Sequence, residues 1–273
     1  RTALNMKNRL EFVHLSDQPI EETVKAITTY SSSGVAFETD LPPLAGVQIS
    51  PPASLTLFNG SPRGLKGNTP LMLEQFAVGF KAEGGQCDEI HHLMRLKQKD
   101  AFVQAFAEAE SVLLGFPLYT DAMPGIVKAF IEALEPLKGQ TNNPPMGFLV
   151  QSGFPEPTHS RHIERYLKKF AGRMGSPYLG TIVRGNGEGT RLQPDSWNRR
   201  LYNPLQQLGL LYAKNGSFDT ELLAKVARRE RRPSYMMPFY KFFVRTPLSK
   251  MYWDMQLKKN GVYEERFARP YVD

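Results

Sequence analysis

Between residues 55 and 211, five short apolar runs alternate with five stretches of helical periodicity, and that alternation narrows the fold more than any other feature of the chain. Leu55–Phe58, Gln86–His91, Val112–Tyr119, Met146–Gln151 and Tyr178–Val183 read as strands. The helices read from about Asn68 to Gly84-Gly85, over Ala101–Glu108, Pro124–Leu134 and His159–Met174, and around Pro204–Leu211. Such alternation predicts an α/β fold with a five-stranded parallel sheet, helices on both faces and right-handed crossovers. In these sheets ligands bind beyond the carboxyl ends of the strands. Three polar or glycine-containing segments should therefore meet at one edge: 59–69, 117–124 and 151–160.

The first of these, Asn59-Gly-Ser-Pro-Arg-Gly-Leu-Lys-Gly-Asn-Thr69, joins a strand end to a helix start. The free amides and dipole of a helix N-terminus favour an anion. Gly60, Gly64 and Gly67 let the backbone curl close to a ligand. Ser61, Asn68 and Thr69 add side-chain donors, and Arg63 and Lys66 add charge. The nucleoside-triphosphate loop does not fit, because Lys66 precedes Gly67 and Leu65 stands where that motif needs its second glycine. The dinucleotide fingerprint is absent too. The segment suits a phosphate monoester.

The second segment, Pro117-Leu-Tyr-Thr-Asp-Ala-Met-Pro-Gly125, is apolar and aromatic, with amides expected to be available around Tyr119 and Thr120. It suits the edge of a flat heteroaromatic ring. The third, Gln151-Ser-Gly-Phe154, offers further donors and an aromatic ring. A phosphate at one loop and a flat ring at two others describe a flavin mononucleotide.

Asn59-Gly-Ser-Pro-Arg63 with Gly67-Asn-Thr69, followed by Pro117-Leu-Tyr119, Met123-Pro-Gly125 and Val127-Lys-Ala-Phe-Ile131, resembles the NAD(P)H-dependent FMN reductase family. The resemblance covers roughly residues 53–185, with both motifs in order. It implies a flavodoxin-like three-layer fold, FMN as cofactor and NADH or NADPH as co-substrate. By motif position it implies that Ser61, Arg63, Gly67, Asn68 and Thr69 hold the phosphate. Pro117, Leu118, Tyr119, Thr120 and Met123 would line the ring, with Ser152, Gly153 and Phe154 opposite. The flavin would do the chemistry, passing electrons to a quinone, a free flavin, a nitro or azo compound or a metal ion. His159 is the one side chain weighed for protonating a reduced quinone, against the plainer reading of a surface histidine. The resemblance also implies a homodimer. The tail motifs Trp253-Asp254, Lys259-Asn-Gly261 and Arg269-Pro-Tyr271 look like those of larger members.

Composition bounds these readings. A hydrophobic content of 41% and a charged content of 22% are ordinary for a globular protein. One cysteine, Cys87, excludes an internal disulfide and a four-cysteine cluster within one chain, and reads as a small buried strand residue. With no secretory apolar region and no bilayer-length apolar run, the expected compartment is cytoplasmic. Residues 1–159 hold 12 Lys/Arg against 17 Asp/Glu, a balance of −5; residues 160–273 hold 22 against 10, or +12. The basic half suits phosphorylated cofactors, an acidic partner, lipid headgroups or a solvated face. No nucleic-acid recognition motif accompanies it.

The flanks divide the chain into an N-terminal extension and linker over 1–52, the FMN-binding domain over 53–212 and a C-terminal extension over 213–273. In the first, 10–15 reads as a strand, 19–30 as a helix and the proline pairs at 42–43 and 51–52 as extended linker. Gly185-Asn-Gly-Glu-Gly189 reads as a flexible loop. Arg228-Arg-Glu-Arg-Arg232 reads as a solvated cluster or a contact for the 2′-phosphate of NADPH. Met236–Val244 reads as a helix packed on its own chain, a subunit contact, a flavin lid or a basic membrane-surface anchor; the implied dimer favours the subunit contact. A non-enzymatic carrier and a flavin-binding regulator are the competing functions. Flavodoxin-type carriers are usually smaller and acidic.

Overall fold

The structure, a computed structural model, describes residues 45–231 and 233–268. The strand expected at 10–15, the helix at 19–30, Arg232 and the Arg269-Pro-Tyr271 motif lie outside those residues. Five parallel strands form one sheet: β1 (Thr56–Asn59), β2 (His91–His92), β3 (Val112–Pro117), β4 (Met146–Gln151) and β5 (Tyr178–Arg184). Their order is β2-β1-β3-β4-β5. This is the flavodoxin-like order, whose topological switch point falls between β1 and β3. Thr56 stands opposite Val112 and Val112 opposite Met146, so the two switch-point strands and β4 are in step.

The helices cover both faces. Helices α1 (Asn68–Ala82), α5 (Asp195–Asn215) and α6 (Thr220–Ala227) close one face over Leu55, Leu57, Leu113, Leu149 and Ile182. Helices α2 (Lys99–Ala107), α3 (Gly125–Ala133) and α4 (Arg161–Met174) close the other over Phe58, Leu114, Phe116, Phe148 and Val150. Alternate residues of each strand serve opposite layers, the period-two rule at work. Helices α1 and α5 approach very closely. A Cβ on Gly79 would lie 1.7 Å from the Gln206 carbonyl oxygen, and one on Gly209 would lie 2.0 Å from that of Phe76.

Two strands differ from the sequence reading. β2 keeps only His91–His92; Gln86 makes an isolated bridge to Ser54, and half-buried Cys87 lies outside any strand. Asp88 and Glu89 interrupt the run at a sheet edge, where charges discourage pairing. β3 stops at Pro117, because Tyr119 turns back onto Ala122. The helix read around Pro204–Leu211 is α5, which runs from Asp195 through Pro204 to Asn215. Proline removes one helical hydrogen bond, but Pro204 is buried, and Leu201, Leu205, Leu208 and Tyr212 around it anchor the helix to the core.

The core also continues past residue 212. Phe218 and Val226 are 7% and 1% exposed and pack in the same layer as Phe76 and Tyr212. On the outer side of β5, residues 45–52 run extended, with the Val47 amide donating to the Tyr178 carbonyl and the Ile49 amide to that of Gly216. Beyond α6 come two further helices, α7 (Met237–Val244) and α8 (Leu248–Lys259). No helix among the described residues is long and apolar enough to cross a membrane.

Candidate functional site

The loop leaving β1 is organised by Asn59, which is fully buried. Its Oδ1 accepts from the Ser61 amide at 3.0 Å, so its amide nitrogen faces the Gly64 carbonyl at 3.3 Å and His92 Nδ1 at 2.9 Å. With Asn59 donating, His92 Nδ1 accepts and the ring is neutral. Burial pushes the His92 pKa below its ordinary value, and Arg95 and His91 add to the effect while Glu89 opposes it. Sequence reasoning missed both Asn59 and His92. Their contact spans 33 residues and joins two strands, so no local pattern announces it.

The loop then closes on itself. Gly64, at φ +53°, donates to the Ser61 carbonyl, and Gly67 donates to that of Gly64. Gly67 is the N-cap of α1 and brings no side-chain cap, and no acidic residue occupies the first turn. The first amides of α1 therefore have no side-chain acceptor from the cap and no acid within their own turn, which leaves them to an anion. Thr69 is fully buried, and its Oγ1 has no hydrogen-bond partner. A buried hydroxyl without a partner is costly unless something else binds there. A side chain at Gly60 would meet Val127 Cγ2 at 2.2 Å, which holds the loop tight against α3.

The second segment forms a tight turn. Tyr119 and Ala122 exchange both backbone hydrogen bonds, at 2.9 and 3.0 Å, and Thr120 and Asp121 between them sit at φ +47° and +60°. Two consecutive left-handed residues without glycine or asparagine are strained, and such strain concentrates at functional sites. The Tyr119 amide is thus not available to a ligand, contrary to the sequence reading, because the turn takes it. The Tyr119 side chain is 47% exposed. Burial of its hydroxyl raises its pKa, and Arg63 and Glu188 act on it from opposite signs. The phenol therefore lies close to the first loop. Leu118 is buried, and its amide donates to the Gln151 carbonyl. Pro117 is buried and Met123 half-buried.

The third segment is tied to the second. His159 Nδ1 lies 3.8 Å from Asp121 Oδ1, and its ring stacks on Phe154 at 4.4 Å between centroids. Phe154, 43% exposed, therefore presents only one open face. Ser152 is buried, and its Oγ donates to the Phe154 carbonyl at 3.3 Å; Gly153 is exposed beside it. The three segments thus meet at the carboxyl edge of β1, β3 and β4.

A fourth segment joins them. Residues 185–189 read as a flexible loop in the sequence, yet they and the three residues that follow are pinned on both sides. The Asn186 and Gly187 amides donate to the Phe154 and Ser152 carbonyls at 2.6 and 2.7 Å. Glu188 pairs with Arg63 at 3.0 Å, and its carbonyl accepts from Asn68 Nδ2 at 2.9 Å. The Arg191 amide donates to Asn68 Oδ1 at 3.1 Å, and its guanidinium holds the Leu65 and Gly67 carbonyls. Asn198 of α5 anchors the segment through the Thr190 carbonyl at 2.7 Å. Arg63 and Asn68 therefore already have partners, whereas Thr69 does not. The contacts to the first loop link residues at least 120 positions apart, and only the position of the segment, directly after β5, hints at them.

The arginine cluster after α6 is not simply solvated. Glu230 pairs with Arg161, whose guanidinium also bonds Glu164 at 2.9 Å. Burial works against the Arg161 charge, but the hydrogen bonds it donates to the Glu230 and Glu164 carboxylates, with their negative charge, outweigh it and hold its pKa above the ordinary value. No group of three or more metal-ligating side chains occurs among the described residues.

No protein-family model and no curated protein matches the sequence. Solved structures of similar shape include an FMN-dependent NADH-azoreductase from Bacillus anthracis in complex with FMN, at 12% identity and a TM-score of 0.46, covering 59% of this chain and 99% of that one. An NADH:FMN oxidoreductase in its apo form is 17% identical with a TM-score of 0.46, covering 67% and 98%. An NAD(P)H:quinone oxidoreductase from Methanothermobacter marburgensis is 13% identical with a TM-score of 0.48, covering 58% and 96%.

Proposed function

We propose that the chain is an FMN-dependent NAD(P)H oxidoreductase that passes electrons from a nicotinamide to a small-molecule acceptor such as a quinone or a flavin. The observation that carries this reading is the uncapped N-terminus of α1 with the partnerless, buried Thr69 hydroxyl in its first turn, placed at the β1/β3 switch point. In this reading the phosphate of FMN sits there, held by the amides and side chains of Asn68 and Thr69 with Ser61 beside them. Gly67 leaves room for close approach: a Cβ there would lie 2.5 Å from Ser61 Oγ. Arg63 supplies charge to the phosphate, in competition with the Glu188 carboxylate.

The ring would lie against Pro117, Leu118, Tyr119, Thr120 and Met123, with Ser152, Gly153 and Phe154 on the other side. The strained turn at Thr120–Asp121 fixes the aromatic wall, and the Asp121–His159–Phe154 chain keeps the two walls in register. His159 acts here by position, joining two loops. When bound, FMN supplies the hydride acceptance and electron transfer that none of these side chains provides. The residues contribute binding and orientation, and they keep water from one side of the ring. Steady NADH or NADPH oxidation with a quinone, by the flavin-loaded chain, is the test. Flavin binding without turnover would mark a carrier or a regulator instead.

A further inference from the structure

We propose that the α7–α8 hairpin is a docking surface for an anionic lipid membrane. Residues 233–268 carry half of the exposed large apolar side chains among the described residues, among them Tyr235, Phe239, Phe242, Val244, Met251 and Trp253, at 60–77% exposure. Side chains at i, i+3 and i+4 share a helix face, so Phe239, Phe242 and Phe243 form one aromatic patch on α7. Phe239 and Phe243 stack along it at 6.4 Å. On α8, Met251, Met255 and Lys258 follow the same spacing and line an open groove of about 470 Å³ with Pro247 and Asp254. Exposed aromatic side chains grouped in this way mark an interaction site.

Charge names the occupant. Residues 237–259 hold five Lys/Arg (Lys241, Arg245, Lys250, Lys258 and Lys259) and one acid, Asp254, a balance of +4. Lys241 lies across the helix from the aromatic patch, where its long stem lets the ammonium reach headgroups while the rings dip below them. Aromatic residues with basic neighbours are the composition of a helix lying in the interface of an anionic leaflet, and tyrosine and tryptophan favour that depth. A second copy seated on the aromatic patch is the competing occupant, and the test below separates the two. The hairpin lies on the bilayer and does not cross it, since neither helix is long enough.

The inference does not depend on the flavin, so its test does not either. The full chain is floated with vesicles of phosphatidylcholine alone and of phosphatidylcholine mixed with phosphatidylglycerol. Binding only to the mixed vesicles, reversed by salt, is expected. Replacing Lys241, Arg245 and Lys250 together by Gln should lower partitioning at least about tenfold. In a Trp197→Phe background, Trp253 emission should shift to the blue on anionic vesicles, and Phe239→Ser with Phe242→Ser should remove that shift while leaving the thermal unfolding midpoint in place. Equal binding to both vesicle types, or to neither, would overturn the proposal. So would a midpoint lowered by the serine pair, or a dimer that the pair turns into monomer, because the patch would then be covered by this chain or by a second copy.

Discussion

Phe76 and Phe242 are the same residue in two helices with opposite surroundings. Phe76 is fully buried between the sheet and α5, with the rings of Tyr212 and Phe218 at 6.1 and 5.7 Å. Phe242 is 70% exposed on α7. The α/β unit uses its aromatic residues to hold a site in place; the hairpin keeps its aromatic residues outward. An apolar helix in a sequence thus says little about what covers it. In α1 the apolar positions match a sheet face on the same chain, and in α7 they do not.

The largest expected effect breaks this contrast or confirms it. Phe76→Ala should cost about 3–5 kcal/mol of stability, and Phe242→Ser should stay within about 0.5 kcal/mol. Denaturant unfolding of both variants checks the pair, and equal losses would mean that α7 is packed like the core. Next comes the loop that the core positions. Thr69→Val keeps the shape of the side chain and removes its hydroxyl, and should weaken FMN binding by about tenfold with riboflavin affinity little changed. Fluorescence titration with the two flavins reads this difference.

A smaller change in the opposite direction is expected at Glu188. Its pair with Arg63 is half exposed on both sides, so it contributes little to stability, about 0–1 kcal/mol. Glu188→Gln removes a carboxylate that competes with phosphate and should tighten FMN by about threefold, an effect shrinking as salt is added. The smallest effect is on pH. Burial lowers the pKa of both His91 and His92, with Asp88 opposing at His91. Both are thus held neutral in the fold, and the unfolded chain binds more protons just below the ordinary imidazole value. Stability should therefore be complete above that value and fall as pH drops through about 6.5 toward the lowered folded pKa values. Because His92 holds Asn59, FMN affinity should stay level through that window and fall only when pH reaches the lowered folded pKa of His92, and His92→Gln should flatten that later fall.

The strand–helix alternation and the loops after β1, β3 and β4 were legible because each depends on local pattern: apolar runs, glycine, and polar residues at a helix start. What stayed hidden depends on distant partners. Nothing near Gly185–Gly189 indicates that Glu188 meets Arg63 or that Arg191 meets Asn68. Tyr119–Ala122 lacks the glycine or asparagine that usually announces two left-handed residues, so the strand was read two residues too long. Only the part of α5 around Pro204–Leu211 was legible, because local propensity carries no record of the buried face that holds the longer helix together around Pro204.

The most direct test of the account is a titration of the purified chain with FMN and with riboflavin, followed by absorbance and flavin fluorescence. Saturable binding of one FMN per chain, clearly tighter than riboflavin, is the predicted result, because the phosphate is held at the start of α1. Equal affinity for the two flavins, or no binding of either, would contradict it.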